Sequence, residues 1–165
     1  MIRWIKIQEL VVSEVQEREM LAETYLKKVA EIDYALKVAK ERRQQIEIDL
    51  YSVHGVRFDK EKVSGGVQTD TAMKIESAQK SLDYIDRHIR ELEEAKRTAY
   101  ERMKSLPNIE HGAILISYYL NHKSVEDIAV DLVVSRSTAY TRFGEAKDEF
   151  AKYHKTWLRG VVSVP

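Results

Sequence analysis

Nine positions, Ala78, Leu82, Ile85, Ile89, Leu92, Lys96, Ala99, Met103 and Leu106, step alternately by four and three residues through the middle of the chain. That spacing holds one narrow face of an α-helix in register over many turns and is the heptad pattern of knobs-into-holes packing. An earlier run, Val29, Ile32, Leu36, Ala39, Arg43, Ile46 and Leu50, takes the same steps with only Arg43 interrupting its apolar face. Helices of this length gain little stability from propensity alone, so each must bury its stripe against the other or against another subunit. The expectation is an all-α chain in which residues 17–106 form a long antiparallel helical hairpin, with helices near 17–50 and 71–106.

Tyr51 to Thr71 breaks the pattern. Val63-Ser64-Gly65-Gly66-Val67 resists helix, because each glycine costs about 1 kcal/mol relative to alanine at a helical position. Asp70 offers an N-cap, and Met73 begins the next apolar face. A loop over 51–70 is therefore expected at the tip of the hairpin, and a loop that long is often functional or disordered. Val56 and Phe58 beside Lys60 and Lys62 could instead form a short strand. Residues 1–16 are open in the same way: Trp4, Val11 and Val15 could share a helix face, whereas Ile2, Trp4 and Ile7 do not repeat.

Proline is absent before Pro107, and the position preceding a proline is biased away from α geometry. A boundary is expected there, with a second domain over 107–156 and a tail over 157–165. Asn108 suits the N-cap of a helix running to about Leu120, burying Leu115, Tyr119 and Leu120. Ser124 with Asp127 three residues on makes a capping box, and Ile128, Ala129 and Leu132 give that short helix its apolar side. Ser135 caps the next helix, whose buried face is expected at Ala139, Phe143, Ala146 and Phe150. Ala129 and Ala139 are small enough for the two helices to cross closely.

Two short helices joined by a tight turn, the second opening with an arginine and hydroxyl side chains, form the pattern of a helix-turn-helix. With Ala139 and Phe143 inward, Arg136, Ser137, Tyr140 and Thr141 point outward. Arg136 can give guanine two hydrogen bonds, and Ser137 and Thr141 can serve bases or phosphates. Lys123 and the helix N-terminus at Ser124 suit a phosphate.

Charge sets the terms on which such contacts operate. The chain has 27 basic and 27 acidic side chains, and residues 107–160 hold seven of each, so no bulk positive field draws in nucleic acid. Residues 132–144 contain no acid, which leaves a local patch. Double-stranded DNA bound by such a patch is best engaged by two copies, so a homo-oligomer is expected. A unit of this kind also occurs in domains that never touch DNA. The competing expectation is accordingly a coiled-coil adaptor or structural protein without DNA binding, its C-terminal helices packing on a partner.

The chain has no cysteine, which excludes disulfides and thiolate zinc sites. His54, His88, His111, His122 and His154 lack His-x-x-x-His spacing, and Gly65-Gly66 lacks the Lys-Ser/Thr of a phosphate loop. Neither an enzyme nor a cofactor is expected. The first twelve residues carry Arg3, Lys6 and Glu9 and fit neither a signal peptide nor a membrane span, so the cytoplasm is expected.

The stretch from Pro107 to Tyr153 resembles the promoter-recognition helix-turn-helix of bacterial sigma factors and, more closely, ArpU/RinA-like regulators of phages and prophages. The matching residues are Leu106-Pro107, Tyr119-Leu120, Ser124-Val125-Glu126-Asp127-Ile128-Ala129, Ser135-Arg136-Ser137-Thr138-Ala139-Tyr140 and Glu145-Ala146-Lys147-Asp148-Glu149-Phe150-Ala151. Upstream, Val56-Arg57-Phe58-Asp59-Lys60-Glu61-Lys62-Val63 before a long charged helix is similar to that group's N-terminal region. The resemblance implies a regulator of late phage genes in the bacterial host cytoplasm, reading the major groove with the helix that begins near Ser135. Its implied DNA-binding set is Lys123, Ser124, Ser135, Arg136, Ser137, Thr138, Tyr140, Thr141 and Arg142, with host RNA polymerase as a further candidate partner. Two departures stand out. Val133 occupies the turn position that often carries glycine and resists a left-handed conformation. A basic residue common near Thr141 is displaced to Arg142, where relatives often bury an apolar side chain.

Overall fold

The computed structural model describes the backbone of residues 2–55 and 67–162 and the side chains of 13–52 and 72–162. The described residues are all-α, in six α-helices: α1 (Ile2–Gly55), α2 (Val67–Lys104), α3 (Ile109–Leu115), α4 (Val125–Asp131), α5 (Arg136–Tyr153) and α6 (Lys155–Val162). A π-helical segment, Ile116–Leu120, continues α3.

The long helices extend beyond the repeats that announce them. α1 starts at Ile2, so residues 2–16 join the first helix, and it runs to Gly55. α2 begins at Val67, which places Asp70 inside the helix rather than at its cap. Met73 does not open the apolar face: it is 64% exposed, and Ile75 is the first half-buried position. The alternative strand at Val56 and Phe58, with Lys60, Lys62 and Gly65-Gly66, lies outside the described residues. So do the side chains of Ile2, Trp4, Ile7 and Val11.

The chain forms two compact units, residues 32–94 and residues 1–31 with 95–165. In the first, α1 and α2 pair in opposite chain directions, with Lys40 Nζ 3.1 Å from Glu93 Oε1 and Arg43 Nε 2.6 Å from Asp86 Oδ1. Arg43 also reaches Glu47 at 2.9 Å, so the charged interruption of the stripe sits among carboxylates. The Asp86 hydrogen bond, followed by the Asp86 and Glu47 charges, raises its pKa. Ile32, Leu36, Ala39 and Ile46 are buried, as the periodicity predicts; among the described α2 residues of this unit Ile89 alone is buried, with Ala78, Leu82, Ile85 and Leu92 half-exposed.

The second unit does not begin at Pro107. Ala22, Tyr25, Leu26 and Val29 of α1 and Ala99 and Met103 of α2 are buried in the same unit as Ile114, Leu115, Phe150 and Leu158. Phe150 stacks on Tyr25 at 6.0 Å, and Trp157 meets Tyr25 edge-on at 4.9 Å. Residues 157–162 therefore do not trail off. They belong to α6, which buries Leu158 and is tied to α1 by Lys155–Glu14 at 3.2 Å and Arg159–Glu17 at 2.8 Å.

One buried polar side chain makes this core sensitive to pH. His154 is 4% exposed and donates from Nε2 to the Arg102 carbonyl oxygen at 2.9 Å, with Phe150 at 4.8 Å. Burial, the largest influence, lowers its pKa; the carbonyl opposes that shift and the Arg102 charge reinforces it. A histidine depressed in the folded state binds its proton more readily in the unfolded chain. Its stability contribution is therefore complete above the unfolded pKa of about 6.5 and is lost as pH falls through the lower folded pKa. His154→Gln keeps a donor and removes the titration. Denaturant unfolding should show a smaller loss of stability between pH 7 and 5 for this variant than for the wild type; equal losses would refute the assignment.

Candidate nucleic-acid interface

The C-terminal helices owe their limits to their caps. Asn108 Oδ1 accepts from Glu110 N at 3.0 Å and starts α3. Ser124 Oγ accepts from Asp127 N at 3.1 Å while the Asp127 carboxylate accepts from Ser124 N at 3.2 Å, the reciprocal box expected from sequence. Ser135 Oγ accepts from Thr138 N at 3.1 Å and starts α5.

The turn between α4 and α5 is a Schellman motif. Val134 N donates to Ala129 O at 3.0 Å and Val133 N to Val130 O at 3.1 Å, closing the end of α4. Val134 packs with Val125, Ala129 and Ala139, together with Tyr118 and Phe143, so the turn is clamped by apolar contact on its inner side. Ala129 is 5% exposed and Ala139 1%, consistent with the close crossing that their size permits.

Within this motif Val133 adopts φ 54° and is 90% exposed. The left-handed conformation costs an L-residue about 1–2 kcal/mol, and a β-branched side chain gains nothing here from packing. Asparagine tolerates that conformation without glycine's unfolded-state entropy. Val133→Asn should therefore stabilise the protein by about 1 kcal/mol, read as a higher denaturant midpoint at unchanged slope. An unchanged or lower midpoint would show that the turn carries no strain.

The expected buried face of α5 is present at Ala139, Ala146 and Phe150, with Phe143 partly buried and Ala151 added. The opposite side of its first turns exposes Ser135, Arg136, Ser137, Tyr140 and Thr141, with Thr138 half-buried. Thr141 Oγ1 donates to Ser137 O at 3.1 Å, and the Ser135 and Thr138 hydroxyls lie 2.7 Å apart. Gly144 follows on this helix with nothing near the place a Cβ would take.

Four of the sequence-assigned residues are held by acids elsewhere in the fold. Arg136 Nη2 pairs with Glu126 Oε1, and the Tyr140 hydroxyl donates to that oxygen at 3.1 Å. Lys123 Nζ donates to Asp131 Oδ2 at 2.7 Å, and this hydrogen bond, ahead of the Asp131 charge, raises its pKa. Arg142 is turned toward α3, where Nη1 donates to Glu110 Oε1 at 2.6 Å, and it does not share the exposed face of Arg136 and Tyr140. The Ser124 N-terminus already faces its own carboxylate: hydrogen bonds from the Ser124 hydroxyl and then its N–H hold the Asp127 pKa down. An incoming phosphate would meet that negative charge.

Glu126 and Asp131 are the residues that sequence reasoning did not assign. Both lie on α4; the folded turn brings Glu126 beside Arg136, whereas Asp131 meets Lys123 along α4 itself. Val130, 76% exposed, stands with Val133 on the outer side of the same turn. Among the described residues no group of three or more His, Cys, Asp or Glu could hold a metal ion, and no helix is long and apolar enough to cross a membrane. Comparison with protein-family models, curated proteins and solved structures gives no match to the chain.

Proposed function

We propose that α4, the Schellman turn and α5 form a helix-turn-helix that binds double-stranded DNA sequence-specifically, carried by the paired helices α1 and α2. The reading extends to a transcriptional regulator of phage or prophage late genes, acting in the bacterial cytoplasm as a homo-oligomer with RNA polymerase as a further partner. The observation that carries it is the exposure of Arg136, Ser137, Tyr140 and Thr141 on the first turns of α5, while Ala139 on that helix is buried against Ala129. The ArpU/RinA-like resemblance supplies the biological setting.

The acids paired with Arg136 and Lys123 do not count strongly against the reading. Exposed ion pairs are worth little net, so exchange of Glu126 for a guanine edge, or of Asp131 for a phosphate, has a small cost. A bidentate arginine on guanine returns more than that, with two directed hydrogen bonds in a groove that excludes water.

A second reading, an adaptor without DNA binding, is favoured by Val130 and Val133, which project from the turn with both neighbouring cations neutralised. Selection of bound fragments from a random duplex library separates the two. The regulator enriches a common site; an adaptor enriches none. On the selected site Arg136→Ala should weaken binding about tenfold or more and relax preference at one base pair. Lys123→Ala should weaken selected and scrambled duplexes alike and reduce the slope of log affinity against log salt by about one. Equal loss on both duplexes for the Arg136 variant would remove it as a base reader.

A further inference from the structure

The unit formed by residues 32–94 leaves an open cavity of about 280 Å³ between α1 and α2, floored by Ile46, Leu50, Ile75 and Ala78. Arg42, Asp49 and Lys74 stand among its lining residues. Ser77 and Ser81 complete the α2 side, and the Ser81 hydroxyl donates back to Ser77 O at 3.0 Å. A small-molecule site of roughly 300–1,000 Å³ is usually enclosed and carries a few polar groups aimed inward. This cavity is shallow in side-chain volume on α2, where Ser77, Ala78 and Ser81 are all small, and a helix can approach such a surface closely.

We propose that this groove is a dimer interface, occupied by α1 of a second copy of the chain laid antiparallel across it. Two observations identify the occupant. The first is the state of the α2 stripe: Ala78, Leu82 and Ile85 remain half-exposed although α1 is packed beside them, so one helix pair covers only part of the apolar face. A second pair converts such a surface into the closed core of a four-helix bundle. The second is charge. Arg42 and Asp49 lie seven residues apart on α1, two turns and about 10.5 Å along the axis.

A two-fold axis between positions 45 and 46 exchanges 42 with 49. Each protomer's Arg42 then faces the partner's Asp49, and Ile46 lies beside the axis in both. This is the self-complementarity that an isologous interface requires. Asp49 Oδ1 already accepts from Gln45 Nε2 at 2.9 Å, but a carboxylate has about four acceptor sites and can take an arginine as well. The proposal stands independently of DNA binding, since it concerns only this unit and is read without DNA.

The test uses the full chain without DNA in sedimentation equilibrium, with helix content checked by circular dichroism. Wild type should be dimeric at micromolar concentration. Arg42→Asp and Asp49→Arg should each weaken the dimer about tenfold or more by setting like charges together, and the double exchange R42D/D49R should return to within about threefold of wild type. A cysteine pair, R42C/D49C, checks the geometry without relying on charge. The chain has no other cysteine, and a disulfide cannot span two helical turns within one chain, so oxidation should yield covalent dimers far faster than in R42C or D49C alone. Monomeric wild type, single variants with unchanged dimer affinity, a double exchange as weak as its components, or cysteine pairs no faster than the singles would each overturn the proposal.

Discussion

Phe150→Ala is expected to lower the unfolding free energy by about 3–5 kcal/mol, the range for removing a fully buried phenylalanine ring and leaving a cavity. Phe150 is 0% exposed, so every part of the ring contributes packing. One neighbour is distant in sequence and one is local: Tyr25 stacks on it from α1 at 6.0 Å, and His154, one turn further along, meets it edge-on at 4.8 Å. Collapse around the missing ring is limited because Tyr25 is also fixed by Trp157 at 4.9 Å. The apparent melting temperature should fall by about 6–20 °C, with the signal of Trp157 moving first if the loss is local to that core. A penalty below about 1 kcal/mol in denaturant unfolding would mean that α1, α5 and α6 do not share one core.

That core also marks the limit of what the sequence disclosed. The repeats at 29–50 and 78–106 identify helices because a three-four spacing is a local property, and the burial of Ile32, Leu36, Ala39 and Ile46 follows from it. The caps at Asn108, Ser124 and Ser135 were legible for the same reason, each being settled within three residues. Partner choice is not local. Nothing in the spacing of Ala22, Tyr25, Leu26 and Val29 says that they are buried in one unit with Phe150 and Leu158. The backbone signal favours a boundary at Pro107, whereas the compact unit combines residues 1–31 with 95–165.

The candidate interface divides in the same manner. Exposure of Arg136, Ser137, Tyr140 and Thr141 could be inferred from the inward direction of Ala139, since positions on one helix are fixed relative to each other. The acids that hold Arg136 and Lys123 could not: Glu126 is ten residues from Arg136, and Asp131 is eight from Lys123. Arg142 shows the same division. Its position on the wheel lies toward α3, where Glu110 supplies a partner that only the tertiary structure brings near.

Gly112→Ala should destabilise the protein by about 2 kcal/mol, whereas Gly144→Ala should stabilise it by about 1 kcal/mol, though both replace a helical glycine by the best helix former. The difference lies in what a Cβ meets. At Gly112 it would sit 2.5 Å from the Met103 carbonyl oxygen and 3.4 Å from the Met103 carbonyl carbon. Those are backbone atoms of the last turn of α2 and cannot rotate aside as a side chain would, so α3 must be displaced from α2. Asn108 N and His111 Nδ1 both engage the Glu149 carboxylate, at 3.3 and 2.6 Å, so a shift of α3 also strains its tie to α5. The overpacking penalty thus exceeds the gain in helix propensity. At Gly144 nothing lies within 4 Å, and only the propensity gain remains. Paired denaturant titrations give the two signs directly: a Gly112 variant as stable as wild type would show that α3 does not approach α2 so closely. A destabilised Gly144 variant would reveal a contact on the exposed face of α5.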